Sequence, residues 1–476
     1  MTSLNPTEEQ AAIIHAATST SDNLMLNALA GTGKSSTLKM IDRAIKTKPA
    51  LYLVFNRRNA DEATSSGEFA DTTTIRTFNS LGHRIWAAYC AGKVVLDARK
   101  TNTLFKEMVD GLTKTEAKIV WSYYQIVSDG VSKAKAIGYV PEGIYPAAKR
   151  LATADQLTAA MDEPPDEHAQ EIIDSILTES IKRAYKGLID YNDQIYMPAL
   201  FGGTFPRFPL VLVDEYQDQS PVNHQMLERL AGKSRLIGVG DPWQNIYGFR
   251  GAKAGGMEQA VERYQMASLD LSVSFRCSQA IVEAARWRVP HFKWMKAGGH
   301  VNTANMFRGT DFADDSTIIC RNNAPLLRLA FRLLSLGKSV NVMGSDIGPR
   351  LVGIMKKFGN ESMRREAVFA AIETYREEKV LAGSKSASDL ADCMRVFADH
   401  GDTLGTAISY AEHLFKQTGT IRLLTGHKSK GLEFSNVFFL DPWLLSDSEQ
   451  DKNLRYVIIT RSQNSLVMLD SKSIVW

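Results

Sequence analysis

Two α/β domains built on parallel sheets, each carrying mainly helical insertions, are what this chain's pattern of apolar runs predicts. Three observations carry that prediction. The short apolar run Asn23-Leu24-Met25-Leu26-Asn27 turns through Ala28-Leu29-Ala30-Gly31-Thr32-Gly33-Lys34-Ser35 into a segment with helical spacing at Leu38, Met40, Ile41 and Ile45. A buried run, Pro209-Leu210-Val211-Leu212-Val213, ends in the adjacent acids Asp214-Glu215. The second half repeats short apolar runs that end in polar loops, but has no second glycine-rich loop of the first kind.

The first of these stretches organises the rest. A glycine-rich turn from a buried strand into a helix is what a phosphate loop requires. Gly31 and Gly33 let the backbone come close, so that amides at the helix N-terminus point at phosphates. Lys34 adds a point charge at the β- and γ-phosphates, and Ser35 a hydroxyl for Mg²⁺. Ala28 stands where the general pattern begins with glycine.

Bulk properties bound the class. A chain of 476 residues is too long for one core and predicts two to four domains. With 44% hydrophobic and 23% charged residues it has an ordinary soluble composition, and a net charge of +3 permits an anionic partner without arguing for one. No run approaches the roughly 20 apolar residues of a membrane span, and the polar start Met1-Thr2-Ser3-Leu4-Asn5-Pro6 has no signal-peptide character. An intracellular setting is therefore expected. Cys90, Cys277, Cys320 and Cys393 lie far apart and read as core residues rather than zinc ligands or disulfides.

In chain order, Thr7 and Gln10 have capping-box spacing ahead of an amphipathic helix through Ile13, Ile14 and Ala17. Gln10 either returns a hydrogen bond to Thr7 or reads adenine, and the stretch alone leaves both open. Two further strands follow, one ending in Phe55-Asn56-Arg57-Arg58 and one in Thr77-Phe78-Asn79-Ser80. Strands separated by helices imply a parallel sheet whose C-terminal edges gather the loops where ligands bind. Aromatics beside cationic or hydroxyl groups at those edges suit stacking on the bases of single-stranded nucleic acid. From about Leu81 to Tyr196 helical patterns dominate, broken at Gly138, at Pro141 and by Glu163-Pro164-Pro165-Asp166. That stretch reads as an insertion into the sheet domain.

Adjacent acids at the tip of an apolar strand are costly unless a metal or a reaction uses them. Asp214 suits Mg²⁺ held through water, and Glu215 suits a group that polarises the water attacking a γ-phosphate. With the phosphate loop this points to hydrolysis of a nucleoside triphosphate. The next strand opens into Gly240 to Ala252, where Gln244 is placed as a γ-phosphate sensor and Tyr247 and Phe249 present rings toward a nucleic-acid strand. In the second half Ser274-Phe275-Arg276, Thr425 to Glu433 and Tyr456 to Arg461 stand at loop or helix ends. Arginines at such ends can stabilise charge on a transferring phosphoryl group.

These motifs, in this order, resemble the superfamily 1 DNA helicases of the UvrD/Rep type, and look most like their F-box DNA helicase branch. The resemblance implies two RecA-like P-loop NTPase domains, ATP with Mg²⁺ between them, and single-stranded DNA across their top. Domain 1 would comprise residues 1–85 and 197–272, with a helical insertion at 86–196. Domain 2 would comprise 273–344 and 420–476, with a short accessory insertion at 345–419. The nucleotide site would be Gln10, Ala30, Gly31, Thr32, Gly33, Lys34, Ser35, Ser36, Phe275, Arg276, Glu433 and Arg461, with Ser35 and Asp214 on the metal. Lys34, Glu215, Gln244, Arg276 and Arg461 would be catalytic. Phe55, Asn56, Arg57, Thr77, Phe78, Tyr247, Phe249, Arg250, Thr425 and His427 would lie along the DNA.

What the resemblance implies is 3′ to 5′ movement on single-stranded DNA by a protein monomeric in isolation. Its partners would be single-stranded DNA, single-strand/duplex junctions and replication or recombination proteins. Asn79 stands where the family commonly has histidine, and Ser462 where it has alanine. Two other readings stay open: a translocase that strips proteins from DNA with little unwinding, and an ATP-gated nucleic-acid binding protein without a motor.

Overall fold

The computed structural model describes residues 6–143, 145, 147–232, 234–246, 248, 255–344 and 347–476. Tyr247, Phe249 and Arg250 of the expected DNA path lie outside them. The chain forms two compact units. The first comprises residues 1–29 and 33–271, and the second 30–32 and 272–476.

In the first unit six parallel strands lie in the order Thr73–Thr77, Ala50–Val54, Leu210–Val213, Arg235–Gly240, Leu24–Ala28, Ala267–Leu271. Two of the central strands, Ala50–Val54 and Leu210–Val213, are apolar and buried at every position, as strands covered on both faces are. Each buried Leu or Val there contributes roughly 1.5–3 kcal/mol. The phosphate-loop helix, Lys34–Ala44, packs Leu38 and Ile41 against one face.

Residues 100–201 are mainly helical: Lys100–Val109, Lys114–Ser122, Tyr124–Ile137, Ala154–Ala160, Glu167–Tyr185 and Asp193–Phe201. The break expected at Gly138 is the left-handed cap of Tyr124–Ile137, φ 82°. The helices share one apolar cluster with the sheet, running from Met25, Leu51 and Phe78 to Val131, Ile176 and Tyr196. Inside it lies a buried charge network. Lys100 Nζ meets Asp193 Oδ2 at 2.6 Å, while Lys135 Nζ meets Asp190 Oδ2 at 2.5 Å and Asp193 Oδ1 at 2.7 Å.

The second unit has its own six-stranded parallel sheet, ordered His300–Ala304, Ser462–Leu469, Phe434–Leu440, Thr317–Cys320, Ile421–Thr425, Val340–Val342. Between the last two in sequence order of that edge, helices Arg365–Leu381, Ala387–His400 and Leu404–Leu414 join the same apolar core through Val368, Leu390, Phe397 and Leu404. The four cysteines are free; Cys277, Cys320 and Cys393 are buried and Cys90 is half-buried. Among the described residues no helix is long and apolar enough to cross a membrane.

Candidate nucleotide site

The phosphate loop owes its shape to two glycines. Gly31 at φ 71° and Gly33 at φ 80° hold the left-handed conformation that side chains disfavour. Gly33 is the N-cap of Lys34–Ala44 and supplies no side-chain cap, so the helix N-terminus is presented without a capping oxygen of its own. An oriented helix start of this kind attracts anions.

Lys34, Ser35, Asp214 and Glu215 converge in the first unit. Lys34 Nζ lies 3.4 Å from Glu215 Oε2. Ser35 Oγ donates to Asp214 Oδ2 at 3.3 Å, and the Tyr52 hydroxyl donates to the same oxygen at 2.8 Å. Asp214 is 3% exposed; burial above all, and then neighbouring Glu215, push its carboxyl above the ordinary aspartate range, against the pull of Lys34. A buried carboxylate beside a hydroxyl at a strand tip fits a hard dication that keeps water and phosphate oxygens as further ligands. Ser35 and Asp214 are the residues that would hold Mg²⁺.

Glu215 has a strained backbone, φ 47° and ψ 49°, rare for a residue with a Cβ. Its N–H donates to Asp214 Oδ1 at 2.8 Å, and Gln219 Nε2 donates to its carbonyl at 3.2 Å. Gln244, 4% exposed, donates to Asp241 Oδ2 at 2.7 Å. Sequence reasoning assigned no role to Tyr52 or Gln217. Tyr52 sits mid-strand, where only the fold reveals which oxygen its hydroxyl reaches.

Gln10 realises its capping box. Its Oε1 accepts from the Thr7 N–H at 3.0 Å, and its Nε2 donates to Thr37 Oγ1 at 3.1 Å on the phosphate-loop helix. Ser36 is exposed on the first turn of that helix.

The second unit carries the expected arginines. Arg276 pairs with Glu433, which also accepts from Gln463 Nε2 at 3.1 Å. Arg461, 1% exposed, donates from Nε to the Val457 carbonyl and from Nη1 to the Leu432 carbonyl, both at 3.1 Å. Burial, and then Arg276, push its guanidinium down to about 10, so it stays charged at neutral pH. Ala30–Thr32 pack with this unit. The Ala30 N–H donates to the Tyr456 hydroxyl at 3.1 Å, the Ala30 carbonyl accepts from Ser274 Oγ at 2.9 Å, and the Gly31 carbonyl accepts from the Phe275 N–H at 2.8 Å. A Cβ on Gly31 would fall 2.4 Å from that of Arg276. The Phe275 ring is 45% exposed.

The described DNA-path candidates divide. Asn56 caps helix Arg57–Ser66 by accepting the Asn59 N–H, and Arg57 is 92% exposed. Thr77 caps Phe78–Tyr89, and Phe55 and His427 are half-buried. Phe78 is 3% exposed in the apolar core and Thr425 7% exposed. Both pack rather than offer a surface.

Residues 6–265, more than half of the chain, match the family model described as the UvrD/REP helicase N-terminal domain, and residues 420–469 match that of the UvrD-like helicase C-terminal domain. The chain is 25% identical over 319 residues to F-box DNA helicase protein 1 of Schizosaccharomyces pombe, covering 57% of this chain and 35% of that protein. It is 37% identical over 131 residues to RecBCD enzyme subunit RecB of Mycolicibacterium smegmatis, covering 23% of this chain and 12% of that one. It is 25% identical over 233 residues to ATP-dependent DNA helicase srs2 of Schizosaccharomyces pombe, covering 44% and 25%. The chain therefore spans about a third or less of the length of these relatives. With one model covering most of the first unit and the other most of the second unit's last strands, the chain belongs to the UvrD/REP helicase family.

Proposed function

We propose that this chain is a DNA-stimulated ATPase that moves 3′ to 5′ along single-stranded DNA and couples ATP hydrolysis to strand displacement. The observation that carries it is the convergence of Lys34, Ser35, Asp214 and Glu215 at the C-terminal edge of a parallel sheet. The matched family models and the helicase names of the relatives support its coarser part, an ATP-dependent DNA helicase.

Loop amides and Lys34 bind the β- and γ-phosphates, and Phe275 stacks on the base. Glu215 orients the attacking water and takes its proton. Ser35 and Asp214 would hold Mg²⁺, which when bound would supply charge neutralisation on the phosphate oxygens. Gln244, Arg276 and Arg461 contact the γ-phosphate and stabilise the charge that develops there. Release of those contacts after hydrolysis changes the grip on DNA. Phosphate contacts make DNA binding sensitive to salt, and stacking makes it indifferent to sequence. This reading places the protein on intracellular DNA, at single strands and their junctions with duplex.

Strand separation on a duplex with a 3′ single-stranded tail, set beside one with a 5′ tail, tests it. Unwinding of the 3′-tailed substrate supports it. ATP-driven removal of a bound protein without unwinding supports the translocase reading, and unwinding confined to the 5′ tail overturns the polarity.

A further inference from the structure

A line of hydrogen bonds runs from Glu215 to Gln244 through one side chain that the proposed mechanism does not use. Gln217, 3% exposed, donates from Nε2 to Glu215 Oε2 at 2.6 Å. Its Oε1 accepts the Asp241 N–H at 3.0 Å, and Asp241 Oδ2 accepts from Gln244 Nε2 at 2.7 Å. One amide thus joins the turn after strand Leu210–Val213 to the loop after strand Arg235–Gly240.

The surroundings hold that amide in place. A Cβ on Gly240 would lie 2.5 Å from Gln217 Oε1 and 3.1 Å from its backbone nitrogen, so the close approach of the two turns depends on glycine. On the other side, Glu215 keeps a left-handed backbone that a residue with a Cβ holds only when its neighbours enforce it. Gln219 braces its carbonyl, and Asn223 Nδ2 in turn donates to Gln219 Oε1 at 2.8 Å. The backbone of Glu215 is braced by Gln219, and its Oε2 is held by Gln217 at 2.6 Å beside Lys34 at 3.4 Å.

We propose that Gln217 is a positioning residue that ties the orientation of the Glu215 carboxylate to the placement of Gln244. The group that polarises water and the group that contacts the γ-phosphate then move as one. This rests on the reading of Glu215 given above. An amide suits the task because it donates to a carboxylate from its nitrogen while its oxygen, a separate atom, accepts a backbone N–H. Asparagine is one methylene shorter.

The test compares wild type, Gln217→Met, Gln217→Glu, Gln244→Ala and the double variant Gln217→Met/Gln244→Ala in steady-state ATP hydrolysis with single-stranded DNA. Melting temperatures are taken alongside. Gln217→Met keeps the length and removes both hydrogen bonds; Gln217→Glu keeps the shape and sets a carboxylate against Glu215. Each is expected to lower kcat about tenfold or more and to leave KM for ATP within about twofold. Residues that act as a unit are not additive, so the double variant should fall no more than about twofold below the worse single one. Wild-type kcat in Gln217→Met, multiplicative losses in the double variant, or losses that track melting temperature in both Gln217 single variants would overturn the proposal. Glu215→Gln is run beside them: wild-type turnover there overturns the reading of Glu215 itself, whereas loss there with wild-type Gln217→Met overturns the relay alone.

Discussion

The Lys34 ammonium and the Glu215 carboxylate stand 3.4 Å apart, so the phosphate loop and the tip of strand Leu210–Val213 share one ion pair. The pair joins the group read as a phosphate binder to the group read as a base. Glu215→Gln keeps the shape and removes the charge. The expected result is a fall of about 10²–10³ in kcat with ATP affinity retained, since the lost interaction belongs to the transition state. Single-turnover hydrolysis and equilibrium nucleotide titration check it, and loss of nucleotide binding would contradict it.

Arg461 is buried, and its guanidinium is pushed down to about 10 by burial first and Arg276 second. A base whose folded value lies below its ordinary one costs stability while it is charged, and that cost is relieved only as pH rises through about 10. At pH 7 Arg461→Met should therefore melt no lower than wild type, while turnover falls about 10²–10³. Lysine should not rescue activity, because a point charge cannot meet the Leu432 and Val457 carbonyls as a planar fork does. Thermal melts and turnover of the Met and Lys variants decide.

The buried network of the helical segment makes a stability prediction. Burial alone would raise the Asp193 carboxyl, but Lys135 and Lys100 more than offset it and hold it below the ordinary 3.8. A depressed carboxyl contributes stability that is fully present above the ordinary value and is lost as pH falls through the folded one. Burial opposes the charge on Lys135, yet Asp193 and Asp190 raise it above the ordinary 10.5, so its share persists until pH rises past that value. Lys135→Met leaves Asp193 short of a counter-charge and should cost about 3–5 kcal/mol. Denaturant unfolding at pH 7 measures it, and a change under about 1 kcal/mol would contradict it.

Arg57, 92% exposed at the start of helix Arg57–Ser66, tests the DNA path. Affinity for single-stranded DNA should fall linearly with the logarithm of salt concentration. Arg57→Ala should flatten that slope by about 0.7, one phosphate contact, without changing sequence preference. An unchanged slope would remove Arg57 from the path.

The fold was legible wherever chemistry forced a local pattern. Leu24–Ala28, the glycines at 31 and 33, and Lys34–Ala44 follow one another because strand, left-handed turn and helix each demand particular residues. Two strands of the second sheet, His300–Ala304 and Val340–Val342, carried no such signal, and Phe434–Leu440 was passed over despite its apolar run from Val437 to Leu440. Those two are edge strands with polar residues, and their pairing is set by neighbours distant in sequence. Gln10 shows a second limit. Its spacing from Thr7 offered the capping box that forms as one of two open readings, and gave no sign of the bond to Thr37, 27 residues away. Gln217 was hidden for the same reason, since its partner Asp241 lies on another strand's end.

Coupling of ATP hydrolysis to single-stranded DNA is tested most directly by steady-state ATP turnover with and without a single-stranded oligonucleotide, with Glu215→Gln and Arg461→Ala as controls. Strong stimulation by DNA, absent from both variants, is the expected result; a turnover that DNA leaves unchanged would contradict the account.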